Sequence, residues 1–273
     1  MTEQTLDNGK KEGTFQSLFA TLVIPIVIVA CILIYKYVLG NPSNFEGNDP
    51  ANHPLPGNYL GIVYKGGFIV PILMALLILV ITFSIERYIT ITKASGKGNA
   101  DRFLLKIRSL LLSNSLEEAS AECDRQKGSL GNVVKAGLKK YREMLQEKEL
   151  TKDQKVLAIQ KDIEEATELE LPALERNLVI IATIASISTL FGLLGTVLGM
   201  IKAFAALATA GAPDSIQLAN GISEALINTA LGITASAIAI IMYNYFTTKI
   251  DRLTYSIDEA GFSIIQTYSS TQK

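Results

Sequence analysis

Four long apolar stretches, separated by polar segments, dominate the hydrophobic pattern of the chain. Each has 22 or more residues with few or no charges, and they run over Leu18–Leu39, Phe68–Ile91, Leu178–Ile201 and Ile222–Phe246. About 20 residues of α-helix cross the apolar core of a bilayer. A soluble protein rarely repeats apolar helices of that length four times. The pattern therefore predicts an all-α integral membrane protein with four transmembrane helices.

The first apolar stretch follows a polar leader, MTEQTLDNGKKEGTFQS, which raises the alternative of a cleaved secretory signal. The apolar part is longer than a usual signal core, and no small-x-small cleavage pattern follows before Asn41. We therefore expect this helix to be retained in the membrane.

Positive charge indicates the side of the membrane on which each polar segment lies. Lys93–Arg176 holds 16 Lys and Arg residues, whereas Gly40–Gly67 holds only Lys65 and Ala208–Ser215 holds none. An excess of Lys and Arg marks the cytoplasmic side. The predicted order is a cytoplasmic N-terminus (1–17), a transmembrane helix (18–39), an outer loop (40–67), a second transmembrane helix (68–91), a cytoplasmic helical domain (92–176), a third transmembrane helix (177–207), a second outer loop (208–216), a fourth transmembrane helix (217–248) and a cytoplasmic tail (249–273).

Composition argues against several classes of function. The formal net charge is −1, so the chain lacks the basic character of a protein that binds nucleic acid. The single histidine, His53, has no second His or Cys nearby with which to share a metal ion. The polar segments contain no phosphate-binding or dinucleotide-binding motif and no catalytic constellation. We expect no enzymatic activity, no cofactor and no metal site.

The charged middle of the chain is predicted to be helical. The stretch TKDQKVLAIQKDIEEATELELPALERN begins at Thr151, a plausible N-cap, and carries Ile and Leu at helical spacing. Pro172 either kinks this helix or restarts it. A helix that continued through the third span would cover residues 152 to 207. The fourth helix is predicted to start at a cap within Asp214–Gln217 and to end near Leu253, so both helices exceed the thickness of a membrane.

The third and fourth spans each present one face without large side chains. On a helical wheel, the small face of the fourth span holds Gly221, Glu224, Asn228, Thr229 and Gly232. The small face of the third span holds Thr196 together with Gly192, Gly195 and Gly199. Small faces let helices approach closely in membranes, and they also leave room for water. Tight helix packing and pore lining are equally good explanations of the glycines.

Glu224 is the residue that separates these explanations best. A charge at the centre of a bilayer costs about 2.5–3.5 kcal/mol on insertion scales and usually has a function. Counting back about 20 residues from Tyr245 places Glu224 near the outer boundary, so an interfacial carboxylate that simply reaches water is the alternative. Asn228 and Thr229 extend the polar face one turn deeper, which favours an ion pathway lined by Thr196, Glu224, Asn228 and Thr229.

Three motifs resemble the MotA/TolQ/ExbB proton channel family. They are GLLGTVLGM from Gly192 to Met200, GISEALINTALG from Gly221 to Gly232, and MYNYF from Met242 to Phe246. The resemblance covers most of Gly66–Asp258, and Glu224 within SEAL is closer to ExbB and TolQ than to MotA.

The resemblance implies a motor subunit of the bacterial inner membrane, with both termini cytoplasmic and the outer loops periplasmic. Family members form rings, commonly pentamers, around a dimer of a single-span partner such as ExbD or TolR. The family's pore threonines fall on Thr196 and Thr229 and its pore glutamate on Glu224, while the proton-carrying aspartate belongs to the partner. We expect an ExbB-like subunit that couples the proton motive force to TonB-dependent transport across the outer membrane.

The apolar helix at 18–39 departs from the three-span members of the family, and the four-span order resembles MotA. A TolQ-like or MotA-like subunit for envelope maintenance or motility is therefore an alternative. A self-sufficient ion channel and a structural membrane scaffold are two further alternatives.

Overall fold

A computed structural model describes residues 19–208 and 215–271, and it is helical almost throughout. Across these residues the chain forms no β-strand, only an isolated bridge between Phe45 and Pro54. The helices are α1 (Phe19–Leu39, ending in the π-helical turn Tyr35–Leu39), α2 (Tyr59–Tyr64), α3 (Val70–Ala94), α4 (Ala100–Leu112), α5 (Leu116–Gln126), α6 (Gly128–Gln146), α7 (Lys152–Glu175), α8 (Leu178–Leu207) and α9 (Ser215–Thr271).

Four helical runs are long and apolar enough to cross a membrane: Phe19–Leu39, Gly67–Ala94, Lys152–Leu207 and Ser215–Thr271. The prediction of an all-α membrane protein with four spans is therefore confirmed. The predicted cytoplasmic N-terminus (1–17) and the candidate cap residue Asp214 lie outside the described residues.

The chain divides into two compact units. The first contains the described residues up to Ile85 together with Val179–Tyr243, and the second contains Glu86–Leu178 and the chain from Asn244 onward. The first unit thus holds α1, α2 and most of α3 and α8. The second holds α4 to α7, and the long helix α9 contributes its first part to the first unit and its last part to the second.

The predicted outer loop at 40–67 contains regular structure that the sequence did not indicate. It contains α2 and two short 3-10 turns, Pro42–Asn44 and Glu46–Asn48. Phe45 is buried within it, and the Lys65 ammonium donates to the carbonyl oxygens of Pro50 and Ala51, both at 3.0 Å. Asn and Gly residues predict turns, but they do not reveal an aromatic core within the loop, which is why the order was missed.

The last part of α9 lies in the second unit and differs from the predicted end of the fourth helix. Helix α9 does not end near Leu253 but continues to Thr271. Its buried side chains recur every three or four residues, at Ile250, Leu253, Ile257, Ala260, Ile264 and Tyr268. This spacing is an apolar helical stripe. The Tyr268 hydroxyl also donates to the carbonyl of Met144 at 3.0 Å, so the last turns of α9 form part of the core of this unit.

The run from 152 to 207 is divided by a turn at Arg176–Asn177 rather than being one unbroken helix. Thr151 caps α7 through a capping box with Gln154, as the sequence indicated for its start. Near the other end, Pro172 supplies no backbone N–H for the ladder, and α7 ends three residues later. Of the two outcomes open for Pro172, the structure shows a restart of the helix.

Candidate ion pathway

Helices α8 and α9 run against each other through their small faces, and the five glycines of those faces lie at the contact. A Cβ added to Gly199 would come within 2.6 Å of the Ala225 nitrogen and the Gly221 oxygen. A Cβ on Gly232 would come within 2.7 Å of the Gly192 Cα. Because backbones can approach this closely only at glycine, the small residues hold the two helices together. We call this contact between α8 and α9 the small-residue seam.

Thr196 and Thr229 meet in the middle of the small-residue seam. Their hydroxyls form a short hydrogen bond with each other, and both side chains are half-buried. Each hydroxyl also lies within hydrogen-bonding distance of a carbonyl of its own helix, Gly192 at 3.2 Å for Thr196 and Ala225 at 3.0 Å for Thr229. Because each hydroxyl has one proton, one of them donates across the pair and the other donates to its carbonyl. The two residues singled out from separate wheels thus form one polar pair.

Asn228 lies in the same seam, fully buried. Its Nδ2 donates to the Gly66 carbonyl at 2.7 Å, and its side chain occupies the space that a Cβ on Gly195 would need. Its Oδ1 has no hydrogen-bond partner among the described residues, and the same holds for the buried Ser188 hydroxyl. Buried polar atoms without a protein partner are the usual binding points of ordered water.

Glu224 is buried and forms an ion pair with Lys202 of α8. The Lys202 ammonium donates to both carboxylate oxygens at 2.7 Å. The Glu224 side chain is only 7% exposed, whereas that of Lys202 is 53% exposed. In the described chain the Glu224 carboxylate therefore contacts an ammonium and is not open to solvent.

Lys202 was not among the residues identified from the sequence, although its position on the helical wheel of α8 indicates a role. Lys202 lies six residues after Thr196, about −120° around the helix, which is just beside the edge of the small face. A basic residue within an apolar run usually pairs with an acidic residue on the facing helix. Lys202 is near the end of α8 and Glu224 is near the start of α9, so the two are suitable partners in this antiparallel order.

The turn before α3 lies against the Glu224 side chain. Gly67 has a φ of +76°, and a Cβ there would lie 2.5 Å from Glu224 Oε1. Gly57 has a similar φ of +78° but open space around it. The two glycines thus share a backbone conformation and differ only in what a side chain would meet.

We expect Gly67→Ala to destabilise the chain more than Gly57→Ala. The left-handed backbone costs either alanine about 1–2 kcal/mol, but only at position 67 must a buried ion pair also shift, which adds about 1–3 kcal/mol. The midpoints of thermal unfolding in detergent measure the difference. Equal midpoints for the two variants would mean that Gly67 does not confine Glu224.

The seam as a whole carries polar side chains along its length but has little acid–base chemistry of its own. From the Lys202–Glu224 pair it passes Asn228 and the Thr196–Thr229 pair and reaches Ser236, whose hydroxyl donates to the Ala185 carbonyl at 2.6 Å. Glu224 is the one carboxylate that these seam residues supply. No group of three or more His, Cys, Asp and Glu suited to a metal ion occurs in the described part of the chain.

Comparison with known proteins bears on this seam directly. The MotA/TolQ/ExbB proton channel family matches residues 125–259. The Tol-Pal system protein TolQ of Pseudomonas aeruginosa is 32% identical over 142 residues, covering 52% of this chain and 61% of that protein. TolQ of Haemophilus influenzae is 27% identical over 215 residues, covering 72% of this chain and 87% of that protein. The biopolymer transport protein ExbB of Salmonella typhimurium is 33% identical over 85 residues, covering 31% of this chain and 35% of that protein.

The match to the Pseudomonas protein covers less than two thirds of that protein's length. The family match over residues 125–259 includes α8 and the part of α9 that forms the small-residue seam. The resemblance carried by GLLGTVLGM and GISEALINTALG is therefore confirmed, although the matches to proteins named TolQ are longer than the match to Salmonella ExbB. Over residues 125–259 the chain carries a domain of the MotA/TolQ/ExbB proton channel family.

Proposed function

We propose that this chain is the ion-conducting subunit of a proton-driven motor in the bacterial inner membrane. It acts as a ring of identical subunits, most simply a pentamer, around a dimer of an ExbD-like or TolR-like single-span partner. Both termini and residues 92–176 lie in the cytoplasm. Thr196, Thr229, Glu224 and Asn228 line the proton pathway, and the glycines of the seam hold α8 and α9 together.

The Thr196–Thr229 hydroxyl pair is the observation that carries this proposal. Two half-buried hydroxyls from different spans meet in one hydrogen bond, and buried polar atoms without protein partners lie in the same seam. A seam used only for packing has no need of these polar groups, since each buried polar atom left unpaired costs free energy. Hydroxyls and ordered water can relay protons, but Glu224 alone makes an incomplete relay, which favours a partner that supplies a second carboxylate.

Two pathways are candidates for the work that the motor performs. An ExbB-like role, coupling to a TonB-like protein and outer-membrane transport, is supported by the relatives named ExbB. A TolQ-like role in the cell envelope is supported by the longest matches, to proteins of the Tol-Pal system. Deletion of the gene separates them: loss of TonB-dependent uptake supports the first, and loss of outer-membrane integrity with normal uptake supports the second.

Proton flux in liposomes tests the motor against the self-sufficient channel. We expect the purified chain alone to pass no protons above the level of empty liposomes, and the chain co-purified with its single-span partner to acidify the lumen under an imposed potential. The pathway needs the partner's carboxylate, which is why the two preparations differ. A trapped pH-sensitive dye provides the measurement.

The partner variant in which the aspartate of its span is replaced by Asn is the control for that experiment. Flux from the chain alone would support the self-sufficient channel. No flux from either preparation, with the ring intact, would support the structural scaffold.

A further inference from the structure

The Lys202–Glu224 ion pair has a geometry that a simple structural salt bridge does not need. One ammonium donates to both carboxylate oxygens at 2.7 Å, so both oxygens accept from the same positive group. The carboxylate is buried and the ammonium is half exposed. The positive charge therefore stands between solvent and the first acidic group of the seam.

We propose that Lys202 determines ion specificity: its ammonium occupies the position where Glu224 would otherwise bind a metal cation such as Na⁺, and so restricts the pathway to protons. This inference rests on the proposed function, because it concerns which ion uses the seam.

The residues around Glu224 would otherwise suit a small hard cation. Such ions bind carboxylate, amide and backbone carbonyl oxygens. Here the carboxylate lies one helical turn from Asn228, whose buried Oδ1 has no partner among the described residues. The Gly66 carbonyl is also in this region, since it accepts from Asn228 Nδ2. Three kinds of oxygen that bind sodium thus occur within about one turn of α9 and at its contact with Gly66, and the positive charge next to the carboxylate is an amino group of the protein itself.

Protons and metal cations differ in what they need in order to bind at the Lys202–Glu224 pair. A metal cation must displace the ammonium from the carboxylate and then remain close to a second positive charge, which raises its energy steeply in a site with little water. A proton needs no shell of oxygen ligands. It binds one carboxylate oxygen of Glu224, leaves Lys202 as the ammonium, and passes on through hydroxyls and water.

The proposal is tested with liposomes whose membrane contains the complex of chain and partner. Uptake of ²²Na⁺ and uptake of protons are both measured on the same preparation. We expect the unaltered complex to take up protons and no ²²Na⁺. In Lys202→Met, removal of the ammonium exposes the carboxylate, and we expect the ratio of ²²Na⁺ to proton uptake to rise by about tenfold or more, since one lost charge–charge contact of this kind exceeds the roughly 1.4 kcal/mol that a factor of ten represents.

Three further variants make the result specific. Lys202→Arg keeps the positive charge, so ²²Na⁺ uptake should stay at background. The double variant Lys202→Met/Glu224→Gln lacks the carboxylate, so the gain in ²²Na⁺ uptake should disappear, which a general leak would not do. Lys36→Met removes an exposed lysine whose ammonium lies over the Tyr37 ring, and it should not admit ²²Na⁺.

The outcomes separate the inference from the proposed function. If the unaltered complex passes no protons, the proposed function fails. If it passes protons but assembled Lys202→Met still excludes ²²Na⁺, the proposed role of Lys202 is overturned. Should the Met variant not assemble, Lys202→Gln retains a hydrogen-bond donor to the carboxylate without the charge, and its exclusion of ²²Na⁺ would overturn the role equally.

Discussion

Proton flux through the assembled complex is expected to fall to background in the double variant Thr196→Val/Thr229→Val, while the ring still forms. Valine has nearly the volume of threonine, so the close contact of α8 and α9 is kept. The substitution removes the hydroxyl pair and replaces the polar middle of the small-residue seam with methyl groups. Water and protons cannot cross an apolar constriction of this kind, since nothing there can accept or donate a hydrogen bond.

Stability should change little in this variant. Each hydroxyl lies within hydrogen-bonding distance of a carbonyl of its own helix, and the net value of one such hydrogen bond is about 0.5–1.5 kcal/mol. Those carbonyls keep their bonds within the helical ladder. Ring size by chromatography in detergent and dye-based proton uptake in liposomes therefore give two independent readouts, of which only the second should change.

The matched control is Thr183→Val/Thr234→Val, with one change in each of the same two helices. Both side chains are exposed, and their hydroxyls donate to Val179 and Ala230 within their own helices. We expect normal proton flux in this control. Full flux in the Thr196/Thr229 variant would remove these residues from the pathway and leave tight packing as the explanation of the small faces.

The helices and the small-residue seam could be predicted from sequence because both depend on local periodicity. Span length follows from counting apolar residues, and the face that carries Thr196 or Thr229 follows from 100° per residue. The family motifs then indicated that the two faces meet. None of this required knowledge of a specific contact.

The partner of Glu224 could not be predicted in the same way. A wheel gives the direction of a side chain but not the residue on a neighbouring helix that it meets, so Lys202 was not identified as the partner of Glu224. The turn at Gly66 and Gly67 was missed for a related reason. Its contacts with α9 join residues about 160 positions apart in the chain, and a local pattern carries no information about them.

The end of α9, in the second unit, is another feature that a local sequence pattern did not predict. The stripe from Ile250 to Tyr268 is present in the sequence, but the fourth helix was predicted to end near Leu253. The structure uses that stripe as core, because α6 and α7 supply apolar partners such as Ile163, which lies beside Gly261. Amphipathic helices become stable through such partners rather than through propensity alone.

The fully buried side chain of Arg87 binds the end of α7 in this unit. Its guanidinium forms a bidentate ion pair with Glu86. It also donates to the carbonyl oxygens of Ala173 and Leu174, both at 3.2 Å. These carbonyls belong to the last turn of α7, which has no following helical N–H groups to satisfy it. Asn177, in the turn itself, donates to Glu86 at 3.1 Å.

We expect Arg87→Met to destabilise the second unit by about 3–5 kcal/mol, because removing one partner of a buried pair leaves an uncompensated charge. The loss also leaves two carbonyls at the end of α7 without their donor. Reactivity of the Cys123 thiol in the full chain, in a Cys31→Ala background, measures this opening. Burial raises the pKa of Cys123 to about 12, so the thiol is protonated and shielded until the unit opens. Labelling should accelerate roughly 100-fold or more, since each 1.4 kcal/mol is a factor of ten.

Arg142→Met is the matched control, because Arg142 is also in an ion pair of the second unit. It bonds to Glu117 at 2.8 Å, but both side chains are largely exposed. Exposed pairs contribute about 0–1 kcal/mol, so labelling of Cys123 should change by a few-fold at most. If Arg87→Met labelled no faster than Arg142→Met, the turn at Arg176–Asn177 would have to be held by other contacts, and Pro172 alone would account for the end of α7. A large difference would instead show that the helix ends where Arg87 binds its last carbonyls.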